Sequence, residues 1–175
     1  MRPISSFATL SVALALAGCA SQATVHSDYD KTVNSAQYRT YAFAEKSPQT
    51  YLTLTEKTLR TDIAQQLENR GYRQNNNADL LVYISTKTQQ QTHVEGSPSL
   101  IGWGGYGGWM GYDQTVWTTN EGTLTVDVVD SKKKQLAWRG TATGTIPSSG
   151  EALSADKLNQ AVMQMFAQYP WTAGK

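Results

Sequence analysis

Gly122-Thr-Leu-Thr-Val-Asp-Val-Val129 and Leu136-Ala-Trp-Arg-Gly-Thr-Ala-Thr-Gly-Thr145, joined by Asp130-Ser-Lys-Lys-Lys-Gln135, read as an antiparallel hairpin. Leu124, Val126 and Val128 alternate with polar residues, the period of a strand with one buried face. If Val128 faces Trp138, then Val126 faces Gly140 and Leu124 faces Ala142. The same register sets Asp127 against Arg139 on the polar face, a cross-strand charge pair. Small residues at 140 and 142 let a helix approach the apolar face closely. Such a sheet needs cover on one side only.

The rest of the chain supplies that cover. Thr53 and Glu56 have capping-box spacing ahead of a helix whose Leu59, Ile63 and Leu67 share one face. Gly71 suits the position just past its end, and Tyr72 can fold back onto the core. Ser154 caps a second helix with Leu158, Ala161, Val162, Met165 and Phe166 on one stripe, ending before Pro170. Strands are also predicted over Val25–Tyr29, Tyr38–Phe43 and Asp79–Ser85, the last largely apolar on both faces. The order predicts an α+β two-layer sandwich, a mostly antiparallel sheet with two helices on one face. No internal repeat and no second domain is evident.

The N-terminus carries Arg2, an apolar run from Phe7 to Ala17, and small residues before Cys19, the layout of a secretory signal peptide. The apolar run is shorter than the roughly 20 residues a bilayer-spanning helix needs. Leu16-Ala17-Gly18-Cys19 resembles the lipobox of bacterial lipoproteins. That resemblance implies a diacylglycerol on the Cys19 thiol, cleavage before it, and acylation of the new amino group, with acyl chains such as palmitate. Residues 1–18 are then the signal, 19–27 the lipidated cysteine and tether, and 28–175 a single domain. Ala20 and Ser21 follow the cysteine, without the aspartate that commonly marks inner-membrane retention. The expected location is the outer membrane of a Gram-negative bacterium, facing the periplasm.

Fifteen Lys and Arg stand against fourteen Asp and Glu. Loss of Arg2 with the signal brings the two into balance, so charge makes no case for binding nucleic acid. Cys19 is the only cysteine, which excludes an internal disulfide. Acylated, it is also unavailable as a nucleophile or metal ligand.

The most unusual stretch is Gly96-Ser-Pro-Ser-Leu-Ile-Gly-Trp-Gly-Gly-Tyr-Gly-Gly-Trp-Met-Gly-Tyr112, a Gly/aromatic loop insertion over 96–113. The flanking polar segments, Thr86–Glu95 and Asp113–Glu121, can pair as a long hairpin arm with this stretch as its tip. Trp103, Tyr106, Trp109 and Tyr112 recur every three residues and are the candidate binding residues. Such rings can stack on a glycan, dock an envelope protein or a second copy, or sit in a membrane interface. A low-complexity spacer is the bland alternative.

Other constellations are weaker. His93 and Glu95 alternate on one side of the arm and define the enzymatic alternative, an envelope hydrolase; they fall short of a zinc ligand set. Lys132-Lys133-Lys134 reads as a solvated turn. No nucleophile elbow, P-loop, zinc-protease or dinucleotide motif is present. The reading carries no cofactor, metal or catalytic residue, and expects a non-catalytic binding or structural module.

Six short motifs in order carry a family resemblance. They are Asp28-Tyr29-Asp30, Tyr38-Arg-Thr-Tyr-Ala-Phe43, Gly71-Tyr72, Ala78-Asp79-Leu80, Gly122-Thr-Leu-Thr-Val-Asp127 and Ala137-Trp138-Arg139-Gly140. Together they resemble the domain-of-unknown-function 4136 family of bacterial envelope lipoproteins. The resemblance implies a periplasm-facing α+β lipoprotein, with no established activity or site residues to carry over.

Overall fold

The computed structural model describes residues 23–45, 52–101, 109–146 and 153–175, with the backbone alone for 97–101 and 109–113. Six strands form one sheet: β1 (Thr24–Tyr29), β2 (Thr40–Phe43), β3 (Arg73–Gln74), β4 (Leu80–Ile101), β5 (Trp109–Asp130) and β6 (Gln135–Ile146). Their order across the sheet is β1-β6-β5-β4-β2-β3. The pairs β1–β6, β6–β5 and β5–β4 are antiparallel, whereas β2 runs parallel to both β4 and β3. Helix α1 (Leu54–Glu68) makes the crossover that a parallel β2–β4 pair requires, and α2 (Ala155–Ala167) follows β6.

The hairpin at the heart of the sheet has the expected register. Val128 pairs with Trp138, Val126 with Gly140, Leu124 with Ala142, and Asp127 with Arg139. One irregularity was not legible: Val129 pairs with Leu136, leaving Ala137 as an extra residue. This bulge turns both Ala137 and Trp138 into the interior. Gly140 serves a purpose other than helix approach alone. A Cβ there would meet Trp138 Cη2 at 2.3 Å and Met165 Sδ at 3.0 Å, so the indole lies over its own strand beneath α2.

Both helices lie on one face. Leu59, Ile63 and Leu67 of α1 and Leu158, Val162, Met165 and Phe166 of α2 join Leu80, Val82, Leu124, Val126, Val128 and Trp138 in one core. Thr53 accepts a hydrogen bond from Glu56 N at 3.1 Å and Ser154 one from Lys157 N at 3.4 Å, capping the two helices as expected. At the end of α1, Gly71 adopts φ +86°, while Gly71 N donates to Glu68 O and Tyr72 N to Leu67 O. That pair of bonds closes the helix and delivers Tyr72 to the core.

On the largely apolar Asp79–Ser85 strand, Leu80 and Val82 are buried while Tyr83 is exposed, because the helices cover one side only. Two expectations need correcting. The tether expected over 19–27 overlaps β1 from Thr24 onward, where Val25 and Ala23 pack on the core. Finally, residues 96–101 and 109–113 of the expected loop are strand, paired as far as Ile101 and Trp109. Pro98 is compatible with this ladder because a strand edge leaves alternate N–H groups without a partner to serve.

Candidate functional site

Past its last pair with β6, Asn120 with Ile146, β5 pairs with β4 alone, so the two continue as a ribbon. Residues 86–96 and 114–118 are exposed apart from half-buried His93. Large apolar side chains nevertheless stand there: Val94 is 61% exposed, its partner Val116 59%, and Trp117 41%. Alternation places Val94 and Val116 on one side and His93 and Trp117 on the other. The His93 and Trp117 rings stack with centroids 5.6 Å apart and 14° between planes. His93 Nε2 lies 2.8 Å from Thr119 Oγ1.

Of the candidate binding residues, Trp109 and Tyr112 belong to β5 by backbone, opposite Ile101 and Pro98. Trp103, Tyr106 and the candidate lipidation residue Cys19 lie outside the described residues. Glu95 pairs with Thr115, two positions from His93. Among the described residues no group of three or more His, Cys, Asp and Glu is placed to hold a metal ion.

The charged features of the opposite end are structural. Asp130 Oδ1 accepts from Lys132 N and Lys133 N at 2.9 and 2.8 Å, so the lysine run is the turn between β5 and β6. Arg139 grips Asp127 through two bonds of 2.6 Å on the open face of the sheet. Asp30 accepts from Thr32 N and Oγ1 and from Gln135 Nε2, and the Thr32 hydrogen bonds hold its carboxyl below the usual range.

One feature escaped the sequence reading altogether. Where the ribbon leaves the sheet, a cleft of about 990 Å³ opens between the first turns of α1 and α2. Its floor includes Ile84, Leu124, Ala142 and the register pair Gly122 and Gly144, and its walls include Leu59, Leu158 and Ala161. Six separated segments build it, Ala23 ahead of β1 among them, and no local pattern marks them as neighbours.

The family model described as Domain of unknown function (DUF4136) matches residues 25–171. The chain belongs to the DUF4136 family. A solved DUF4136 family protein from Bacteroides thetaiotaomicron is similar at 17% identity and TM-score 0.52, covering 88% of this chain and 99% of that one. A PDZ domain protein from Parabacteroides distasonis is similar at 14% identity and TM-score 0.51; 86% of this chain covers 37% of that protein. At these identities the likeness concerns the fold alone. No curated protein matches the chain. Family and fold therefore agree with the sequence motifs, while the chemistry rests on the residues themselves.

Proposed function

We propose that this DUF4136 protein is a lipid-anchored, periplasm-facing binding module of the bacterial outer membrane, working without catalysis, with the β4–β5 ribbon as its contact element. The ribbon carries this reading. Val94, Val116 and Trp117 are exposed on the part of β4 and β5 that lies beyond the core, and the sequence adds Trp103, Tyr106, Trp109 and Tyr112 in the stretch between them. Exposed apolar groups held on a regular scaffold are the usual form of an interaction surface. Anchoring is supported by the Leu16-Ala17-Gly18-Cys19 motif and by the short stretch of chain between Cys19 and β1, an edge strand that starts at Thr24.

The hydrolase alternative has less support. His93 is engaged by Trp117 and Thr119, and Glu95 is the one carboxylate two residues away on its strand. The test is photo-crosslinking in cells from a reactive analogue at Trp109 of the full-length protein. A discrete adduct with an envelope protein, glycan, lipid or second copy is expected. Normal protein levels without any adduct would remove the ribbon from this role.

A further inference from the structure

We propose that the β4–β5 ribbon rests on the same membrane that holds the Cys19 lipid, with the face that bears Val94 and Val116 at headgroup depth. This deepens the reading above by naming the partner of the ribbon, and it rests on the lipidation of Cys19.

Thr24, Thr143, Thr123 and Lys87 stand in one row across β1, β6, β5 and β4. Ala23, where the described chain starts, lies just past that row, close over Gly144. The ribbon leaves the sheet from this same end. Its backbone from Thr88 to Ile101, at about 3.3 Å per residue, spans on the order of 40 Å. The body of the sheet runs the other way, about 23 Å along β4 from Lys87 to Leu80.

Cys19 to Ala23 can span at most about 14 Å even when fully extended. A lipid on Cys19 therefore holds the ribbon end of the sheet close to the headgroups. The body is longer than this tether, so it does not fit between Ala23 and the membrane. The ribbon consequently cannot point away from the bilayer. The placement proposed is along the surface, where Val94 and Val116 come within reach of the headgroups.

The side chains suit that position. Tryptophan and tyrosine favour the membrane–water boundary, where an apolar ring and a polar edge are both satisfied. The free backbone groups along the ribbon edges keep it out of the hydrocarbon core, which admits no unpaired edge. Between Thr88 and Asn120 there is no lysine or arginine. With Glu95 and Asp113 as the carboxylates of this stretch, no attraction to anionic lipid holds it, so the contact is interfacial and high salt does not release it.

Spin labels test this on the full-length acylated protein in vesicles of phosphatidylethanolamine and phosphatidylglycerol. Acylation occupies Cys19, so Val116→Cys in the ribbon, or Leu136→Cys at the far end, introduces the one free thiol. Both residues are exposed, and neither change disturbs the core. The mass of the N-terminal peptide first establishes the lipid. The expected result is an oxygen-over-nickel-chelate accessibility ratio several-fold higher at Val116 than at Leu136, unchanged in high salt. An aqueous ratio at Val116 on lipid-bearing protein overturns this inference and leaves the anchor intact. A Val116 label shielded from both reagents overturns it in favour of a protein partner or a second copy. An unlipidated N-terminal peptide overturns the anchoring and this inference together.

Discussion

Tyr38 donates its phenolic proton to Asp130 Oδ2 at 2.7 Å, joining the approach to β2 to the end of β5 across 92 residues. Both groups are buried. Burial, and then the hydrogen bond to Asp130, push the Tyr38 phenol up to about 12. Burial pulls the Asp130 carboxyl upward too, but Lys133 N, Tyr38 and Lys132 N outweigh it, and the group titrates below its usual range. The strand end and the lysine turn are thus organised around one carboxylate.

Asp130→Asn exchanges a pure acceptor for an amide that must point its NH₂ at existing donors. A loss of about 1–3 kcal/mol is expected, read as a lower urea midpoint with an unchanged slope. Tyr38→Phe should lose less, because the backbone donors still serve Asp130. A midpoint that does not move for Asp130→Asn would show that the carboxylate is dispensable.

Acid should weaken the fold through the same group. Asp79 behaves similarly: burial raises its pKa, but hydrogen bonds from Arg39 N and Thr40 outweigh this and leave it lowered. A depressed folded pKa contributes stability above the unfolded value, here about 4, and that contribution is lost as pH falls through the folded value. Urea midpoints should hold down to about pH 4 and drop below it, with a shallower drop in Asp79→Asn/Asp130→Asn. Tyr38 acts at the other end of the scale. Its contribution is complete below the unfolded value of 10.0 and is lost as pH rises through about 12.

Gly140→Ala should be costly for a strand position. The added methyl would lie 2.3 Å from Trp138 Cη2, and the indole is fully buried beneath Met165 and Phe166. Overpacking of this kind costs about 1–3 kcal/mol. Thermal melts should show it, with Gly144→Ala as the contrast, since its new methyl makes only an ordinary 3.5 Å contact with Ala23.

The Asp127–Arg139 pair should matter little despite its bidentate geometry. The arginine side chain is 51% exposed, and solvent screens such pairs to about 1 kcal/mol or less. A double-mutant cycle with Asp127→Ala and Arg139→Ala is expected to return a coupling in that range. A larger value would mark the open face as a structural element in its own right.

Under the proposed anchoring, Cys19→Ser should move the protein from the membrane to the soluble fraction and leave the melting curve unchanged, because Cys19 precedes β1, the first strand of the sheet. Retention in the membrane would show that another segment anchors it.

The local signals were strong wherever one face of an element is buried. Leu59, Ile63 and Leu67, the stripe on α2, the cap at Thr53 and the glycine at Gly71 were all legible, because helix period and capping are properties of neighbours in the chain. The central register was legible for a similar reason: matching apolar rows leaves only one alignment, and a slip of one residue would bury Asp127 and Arg139. The bulge at Ala137, the exposed Tyr83 on an apolar-looking strand and the two-residue β3 were not, since each depends on what packs alongside. By itself the sequence determined the family, the α+β elements and the central pairing. Only the tertiary structure decided that β1, the cleft and the ribbon share one end of the sheet, because that end is assembled from segments far apart in the chain, and no local period records which strand ends come level.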